Sequence, residues 1–262
     1  MESKVKSLST GKMWLFAAGQ FGWSLLSGLI SNWLVYFYQP DEASIAQGQT
    51  LFIPQGLVVF GIFTVIGGIT AFGRLFDAFT DPCIASLSDR CTSKKGRRIP
   101  FLKWASLPLA VSTVLVFWSP VNRNSVVNAV FLFVMVIMYY LSITAYCTPY
   151  NALLPELGHN QQERLNISTV ISFTFIAGTA VAYLAPVIWG TLIPVFGRVN
   201  AIRVTFAVMA ALAFVCMQVP VWAINEKEYV DTMPSQDTAF SSLASTFRNK
   251  QFRKFVSTDN LY

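Results

Sequence analysis

Long apolar stretches, separated by short polar segments, dominate the pattern of residues along this chain. A helix that crosses a bilayer needs about 20 mostly apolar residues. Six stretches are long enough, and they lie near residues 13–38, 54–88, 100–120, 125–154, 166–194 and 201–224. The pattern therefore predicts an all-α polytopic membrane protein with six transmembrane helices.

The composition agrees with this prediction and narrows the possible functions. Hydrophobic residues make up 54% of the 262 residues and charged residues only 12%, whereas a typical soluble domain is about a quarter charged. The sequence contains no nucleophile–base pair, no phosphate-binding loop, and no cysteine or histidine spacing typical of a metal site. We therefore expect neither an enzyme nor a bound cofactor.

The basic residues follow the predicted membrane topology, which argues against a nucleic-acid partner for the net charge of +6. Fifteen of the 19 lysines and arginines lie in the N-terminal segment, the second and fourth loops and the tail. Three lie on the opposite side, and Arg74 lies inside a span. Because cytoplasmic segments carry the excess of basic residues, we predict an integral protein of the cell (inner) membrane with its N-terminus and tail in the cytoplasm.

The composition changes at residue 225. Residues 1–224 contain the six predicted helices, whereas residues 225–262 are polar at first and then amphipathic. The amphipathic part has an apolar side and a basic side, formed by Phe240, Leu243, Phe247 and Phe252 and by Arg248, Lys250, Arg253 and Lys254. Such a pattern is typical of a helix on an anionic membrane surface or of a solvated linker, and both interpretations remain open.

The end of the chain, "FVSTDNLY", has the composition expected before another span. We therefore interpret residues 225–262 as a cytoplasmic central loop followed by the start of a seventh helix. Many transporters consist of two similar six-helix halves with the substrate between them. On this interpretation the sequence supplies a first half and lacks the second, six-helix C-terminal half.

Three charged residues lie within the predicted second span, in the stretch "GRLFDAFTDP". Arg74, Asp77 and Asp81 are spaced by three and four residues, so they share one face of a helix. Two carboxylates against one guanidinium leave a negative charge, which is costly inside a membrane. A bound cation would neutralise this charge, with Thr80 as a further oxygen ligand. The alternative is an ion-paired cluster that only fixes helix packing.

Two longer strings extend these observations to a family. The string "RLFDAFTDPCIASLSDRCTSKKGRRIPFL" resembles the glycoside-pentoside-hexuronide:cation symporters, the melibiose permease-like branch of the major facilitator superfamily. The string "YNALLPELGHNQQER" resembles the connection between the fourth and fifth helices in the same branch. The resemblance implies the N-terminal six-helix bundle of a major facilitator fold. It also implies sodium- or proton-coupled symport of a small polar solute, with a sugar or glycoside as the expected substrate.

Residue by residue, the resemblance implies a cation site at Asp77, Asp81 and Thr144, with Arg74 as the neighbouring charge partner. An asparagine ligand of the family is replaced by Thr80, so sodium and proton both remain open. The gating loop of the family corresponds to Asp89, Arg90, Gly96, Arg97 and Arg98, whose charges are thought to latch the two halves together in the outward-facing state.

Polar residues recur at helical spacing in the first, fourth and fifth spans, which predicts a shared polar cavity for the substrate. The predicted cavity residues are Gln20, Trp23, Ser24, Tyr140, Tyr146, Cys147, Tyr150, Asn151 and Ser172. For each of them, close helix packing is the simpler interpretation. The carboxylates that hold the sugar in melibiose permease-like carriers align with Ser24 and Cys147, so a galactoside is not implied.

Two other functions remain as alternatives. Some relatives in this branch carry lysolipids, and such a carrier would need a wide opening toward the bilayer. A non-transporting membrane scaffold or partner subunit is the alternative from another class, and it predicts no dependence of function on Asp77.

Overall fold

The computed structural model describes residues 6–46, 48–54, 58–59 and 63–230. In chain order, the elements are α1 (Thr10–Tyr38), α2 (Glu42–Ala46), β1 (Val58–Val59), β2 (Phe63–Thr64), α3 (Val65–Arg90), α4 (Ile99–Val116), α5 (Val126–Leu157), α6 (Gln161–Tyr183), α7 (Ala185–Phe196), α8 (Arg198–Ala223) and α9 (Glu226–Tyr229). The predicted amphipathic segment and the predicted start of a seventh helix lie beyond residue 230, outside the described residues.

Long helices account for almost all of this structure. Within the described residues, five helical segments are long and apolar enough to cross a membrane: Thr10–Tyr38, Ile99–Val116, Val126–Leu157, Gln161–Phe196 and Arg198–Ala223. Helix α3 has 26 residues, and a length of about 39 Å at 1.5 Å per residue is also sufficient to span a bilayer. Its charged residues make it less apolar than the other five. The prediction of an all-α polytopic membrane fold is confirmed.

The predicted second span, residues 54–88, begins too early. The structure starts α3 at Val65, and before it β1 and β2 form an antiparallel pair of two residues each, with Val58 opposite Thr64. An apolar run alone cannot distinguish a helix from a short strand. Valine, phenylalanine and threonine favour strands, and these residue types occupy both members of the pair.

The contacts between helices place α3 at one edge of the bundle. Helix α1 packs against α6 and α8, α4 packs between α5 and α8, and α3 packs against α5. Between α3 and α5, Gly73 lies so close to the ring of Tyr140 that a Cβ atom at position 73 would overlap the ring. Small residues allow membrane helices to approach closely. This contact holds the charged stretch of α3, which follows Gly73, beside α5.

Polar contacts fix the connections at the end of the bundle opposite the α3–α4 loop. The Tyr38 hydroxyl at the end of α1 donates to the carbonyl of Val116 at 2.6 Å. The side-chain amide of Asn128, near the start of α5, donates to the carbonyls of Phe52, Val121 and Arg123, each at 2.9 Å. These bonds pair the carbonyl of Val116 at the end of α4 and carbonyls of the connecting segments, so α1 is bonded to α4 and α5 to the adjoining segments at this end.

Candidate functional site

A cavity of about 290 Å³ lies between α1, α3 and α5. Its walls are formed by Trp23, Ser27, Ile30, Ser31, Arg74, Asp77, Asp81, Tyr139, Tyr140, Ile143, Thr144, Cys147, Thr148 and Asn151. The three charged residues singled out in the sequence therefore face one space between the helices, in which Asp77 is partly buried and Arg74 and Asp81 are exposed. The cavity also contains hydroxyl, thiol, amide and aromatic groups.

Both aspartates of α3 are hydrogen-bonded by threonines of α5. The Thr144 hydroxyl donates to Oδ1 of Asp77, and the Thr148 hydroxyl donates to Oδ1 of Asp81 at 2.9 Å. The partners are spaced by four residues on each helix, which places them one turn apart on a single face. The result is a two-step ladder of carboxylate–hydroxyl pairs between α3 and α5.

Arg74 lies in the same cavity but does not neutralise the aspartates by direct contact. Within the described residues, no ion pair joins Arg74 to Asp77 or Asp81. Its guanidinium carbon instead lies 5.7 Å from the centre of the Tyr140 ring, within the range of a cation–π interaction. The carboxylates therefore remain oriented toward the threonine hydroxyls.

Thr80, which we expected among the cation ligands, is placed differently. Its hydroxyl donates to the backbone carbonyl of Asp77 at 3.1 Å, and its side chain is not part of the cavity wall. Threonine in a helix commonly bonds to a carbonyl of the preceding turn. Thr80 directly precedes Asp81, and neighbouring residues of a helix point about 100° apart, so the Thr80 side chain is turned away from the direction of Asp81.

Four of the predicted substrate residues line this cavity. Trp23 of α1 and Tyr140, Cys147 and Asn151 of α5 are in its walls. Ser27 and Ser31 of α1 also line the cavity, so polar groups from both α1 and α5 lie in its walls.

The other predicted substrate residues lie elsewhere. Gln20 and Ser24 are buried, with 4% and 1% of their surface exposed, and the Ser24 hydroxyl donates to the Phe21 carbonyl at 3.1 Å. Ser172 is exposed on α6, and its hydroxyl donates to the Ser168 carbonyl at 2.9 Å. None of the three side chains belongs to the cavity wall.

Two tyrosines of α5 hold helices together instead of lining the cavity. The Tyr146 hydroxyl donates to the Met217 carbonyl of α8 at 3.0 Å, and the Tyr150 hydroxyl donates to the Phe16 carbonyl of α1 at 3.0 Å. The Tyr150 ring also stacks on the Phe16 ring, with 4.4 Å between the ring centres. Both tyrosines are fully buried, so close packing is the better interpretation of them.

The α3–α4 loop forms a second cluster of charges, at the opposite end of α3 from β2. Arg97 forms an ion pair with Glu156 at the end of α5. Arg98 Nη2 donates to Asp89 Oδ1 at 2.9 Å. Arg98 Nη1 lies 3.0 Å from Glu156 Oε2, a charge contact without hydrogen-bond orientation. These contacts join α3, the loop and α5. Arg90, which was also predicted to belong to the gating loop, is an exposed residue at the end of α3.

Glu226, at the start of α9, also contacts the α3–α4 loop. Its Oε2 accepts hydrogen bonds from the backbone N–H groups of Arg98 at 2.9 Å and Ile99 at 3.3 Å. These groups begin α4, so the carboxylate caps the helix and interacts with the positive end of its dipole. Gly96 adopts φ +114, and a Cβ atom there would overlap Glu226. The predicted loop residue Gly96 is thus needed for both the turn and this contact.

Sequence reasoning missed Thr148, Glu156 and Glu226. Thr148 had a detectable signal, because its spacing of four residues from Thr144 repeats the spacing of the two aspartates. The two glutamates had a weaker signal: they are acidic residues at the ends of spans, on the side where basic residues predominate. Nothing in a single sequence shows that both reach the α3–α4 loop.

The fold and the cavity define a polytopic helical membrane protein that carries a carboxylate pair between its helices. Residues 15–259 match the family described as MFS/sugar transport protein. The chain therefore belongs to this family. The resemblance to cation symporters of the major facilitator superfamily, which rested on the two motif strings, is confirmed.

Similar curated proteins are named as transporters or symporters. The chain is 27% identical to the isoprimeverose transporter of Lactiplantibacillus pentosus over 84% of this chain and 42% of that protein. It is 26% identical to the inner membrane symporter YicJ of Escherichia coli over 74% of this chain and 42% of that protein. It is also 26% identical to the uncharacterized symporter YnaJ of Bacillus subtilis over 72% of this chain and 37% of that protein. The chain spans about two fifths of the length of these relatives.

Proposed function

We propose that this chain forms the N-terminal half of a secondary active transporter that moves a sugar or glycoside together with a cation. The observation that carries the proposal is the pair Asp77 and Asp81, which line a cavity between membrane helices and have no ion pair to Arg74 within the described residues. Acidic residues within membrane helices commonly mark ion or proton pathways. The names of the relatives support the same function.

In this proposal the cation binds at Asp77 and Asp81, with Thr144 as a further oxygen ligand. The two carboxylates carry two negative charges, and Arg74 supplies one positive charge in the same cavity. One monovalent cation therefore makes the site neutral, which removes an unfavourable charge from the membrane interior. Protonation of one carboxylate would achieve the same balance, so sodium and proton both fit the charge count.

The solute would bind beside the cation, against Trp23, Tyr140 and Asn151. Sugars present hydroxyls that need several hydrogen-bonding partners and apolar faces that pack on aromatic rings. Within the described residues, the buried indole nitrogen of Trp23 has no hydrogen-bond partner, so a solute hydroxyl could supply one. Cation and solute bind together more tightly than separately if each organises the same cavity.

The complete carrier requires an opposite wall for this cavity. We propose that a second six-helix half supplies it, because alternating access is a rocking motion of one half against the other. Helix α3 lies at the edge of the bundle and exposes large apolar side chains, including Leu75 at 62% and Phe79 at 76%. These side chains are candidates for contact with the second half or with the lipid bilayer.

The charge cluster around the α3–α4 loop is the proposed cytoplasmic gate. Asp89, Arg97 and Arg98 occupy the positions that the family resemblance assigns to the latch between halves, and Glu156 and Glu226 fix the loop that carries them. The excess of basic residues on this side supports a cytoplasmic position for the loop, the N-terminus and the tail, in the cell (inner) membrane.

Solute uptake into proteoliposomes tests the proposal. The chain is co-reconstituted with a second half taken from a related symporter, and uptake of a panel of labelled monosaccharides, disaccharides and glycosides is measured under an inward sodium or proton gradient. We expect concentrative uptake of at least one solute under one gradient. The chain without a second half should show none, because it lacks the opposite wall. A scaffold function would be supported if the assembled halves bound each other but transported no solute under either gradient.

A further inference from the structure

The hydroxyl that contacts Asp81 comes from a different threonine than the family resemblance implies. The resemblance places a ligand at position 80, but the Thr80 hydroxyl is bonded to a backbone carbonyl of its own helix. The Thr148 hydroxyl, in contrast, is bonded to Asp81 across the α3–α5 contact at 2.9 Å. Thr148 is in the cavity wall and Thr80 is not.

We propose that Thr148, and not Thr80, supplies the fourth side-chain ligand of a sodium or lithium site that it forms with Asp77, Asp81 and Thr144. This inference rests on the proposed cation coupling, and it chooses a metal cation over a proton as the ligand. The four groups lie at i and i+4 on two adjacent helices, so they form two carboxylate–hydroxyl pairs that face each other across one contact.

A threonine hydroxyl can serve a carboxylate and a cation at the same time. The hydroxyl has one hydrogen and two lone pairs. Thr148 can therefore keep donating its hydrogen to Asp81 while a lone pair faces the ion, and Thr144 can do the same beside Asp77. Hard cations prefer ligand sets of this kind, composed of carboxylate and neutral oxygens.

The ligand set also explains how the site tolerates threonine at position 80. Where the family resemblance implies an asparagine on α3, this chain has a residue whose only polar group is bonded to the backbone of α3. The lost oxygen is replaced from α5, one turn beyond Thr144. All four proposed ligands belong to α3 and α5, so cation binding by these four groups can be tested without a second half.

Sodium binding to the 262-residue chain in lipid nanodiscs tests the inference. The chain and its variants are titrated with ²²Na⁺ in a scintillation proximity assay, and lithium is used as a competitor. We expect Thr148→Val to raise the Kd for sodium about tenfold or more, as loss of a ligand or its supporting partner typically does. Thr148→Ser keeps the hydroxyl and should bind nearly as tightly as the unmodified chain.

Thr80→Val is the matched control, because it removes a hydroxyl from α3 that does not reach the cavity. Its Kd should equal that of the unmodified chain, and thermal unfolding of each variant shows whether the bundle remains intact. Equal Kd values for Thr148→Val and the unmodified chain would overturn the inference, and so would a larger increase in Kd with Thr80→Val than with Thr148→Val. In both cases the unmodified chain would still bind sodium, so the proposed cation site itself would stand. If the unmodified chain binds neither sodium nor lithium, the inference is also wrong. Cation-coupled transport would then be judged by the separate uptake assay under a proton gradient.

Discussion

Replacement of Asp77 by asparagine separates the charge of the proposed cation site from its shape. Asparagine has nearly the same size as aspartate and retains an oxygen that can accept the hydrogen bond from Thr144. The contact between α3 and α5 should therefore survive. The charge balance changes, because Arg74 and Asp81 alone sum to zero. The neutral site no longer requires a cation.

The expected effect on cation binding is large. A cation about 4 Å from a carboxylate charge interacts with it by about 4 kcal/mol at the effective dielectric constant of a partly solvated protein site. Loss of this interaction corresponds to an affinity decrease of about a thousandfold, since about 1.4 kcal/mol is a factor of ten. Hydrogen bonds from Thr144 and Thr148 cannot compensate for it, because they are made in both proteins.

The assay compares two kinds of solute movement in proteoliposomes that contain this chain and a second half. Asp77→Asn should abolish accumulation driven by a cation gradient, whereas exchange of labelled for unlabelled solute should persist. Glu42→Gln makes the same chemical change at an exposed position of α2, outside the cavity wall, and should leave both activities unchanged. If Asp77→Asn accumulates solute with an unchanged cation dependence, the carboxylates serve only helix packing and the proposed coupling is wrong.

Three further predictions address topology, stability and the cavity. An impermeant thiol reagent added outside intact cells should label a cysteine introduced at Ala43 but not one at Ser93, and the reverse pattern would contradict the proposed orientation. Glu226→Ala should lower the thermal stability of the bundle, because it removes the acceptor that caps α4 and loss of a helix cap costs about 1 kcal/mol. Glu228→Ala, at an exposed position of the same short helix, should have little effect, and equal melting temperatures of the two variants would refute the capping role. Maleimide labelling of Cys147 should slow when a transported solute is present, and unchanged labelling would exclude this part of the cavity from the solute site.

The sequence was most informative where a residue conflicted with its surroundings. Asp77 and Asp81 interrupt an apolar run, and a charge inside a membrane needs a partner or a function. Their position in a cavity follows from that requirement. The loop charges Arg97 and Arg98 were found in a different way, through the resemblance of the string that contains them to the gating loop of the family.

The sequence was less informative about which polar face of α5 points into the cavity. Tyr146 and Tyr150 form one stripe at a spacing of four residues, and Thr144 and Thr148 form another, two positions away. Both stripes have the periodicity of a polar helix face. Only the positions of α1 and α8 decide between them, because the tyrosine hydroxyls bond to backbone carbonyls of those helices. Such partners are set by tertiary packing and leave no pattern in α5 itself.

The cavity and the loop cluster share two helices in a parallel arrangement. On α3, Asp81 in the cavity precedes Asp89 in the loop cluster by eight residues, and on α5, Thr148 precedes Glu156 by eight residues. Each interval corresponds to about 12 Å of helix. The two sites are thus joined by equal lengths of two adjacent helices.

In both helices a proline directly follows the cavity residue, as Pro82 in α3 and Pro149 in α5. A proline inside a helix removes one backbone hydrogen bond and makes bending easier at that level. The bonds removed are those to the carbonyls of Ala78 and Ala145, so the weakened turns of α3 and α5 lie at the level of the two carboxylate–hydroxyl pairs. Helix α5 contains a second proline, Pro155, directly before Glu156. We propose that a cation that draws the two pairs together bends α3 and α5 at these turns, and that the two helices carry the change to the loop cluster.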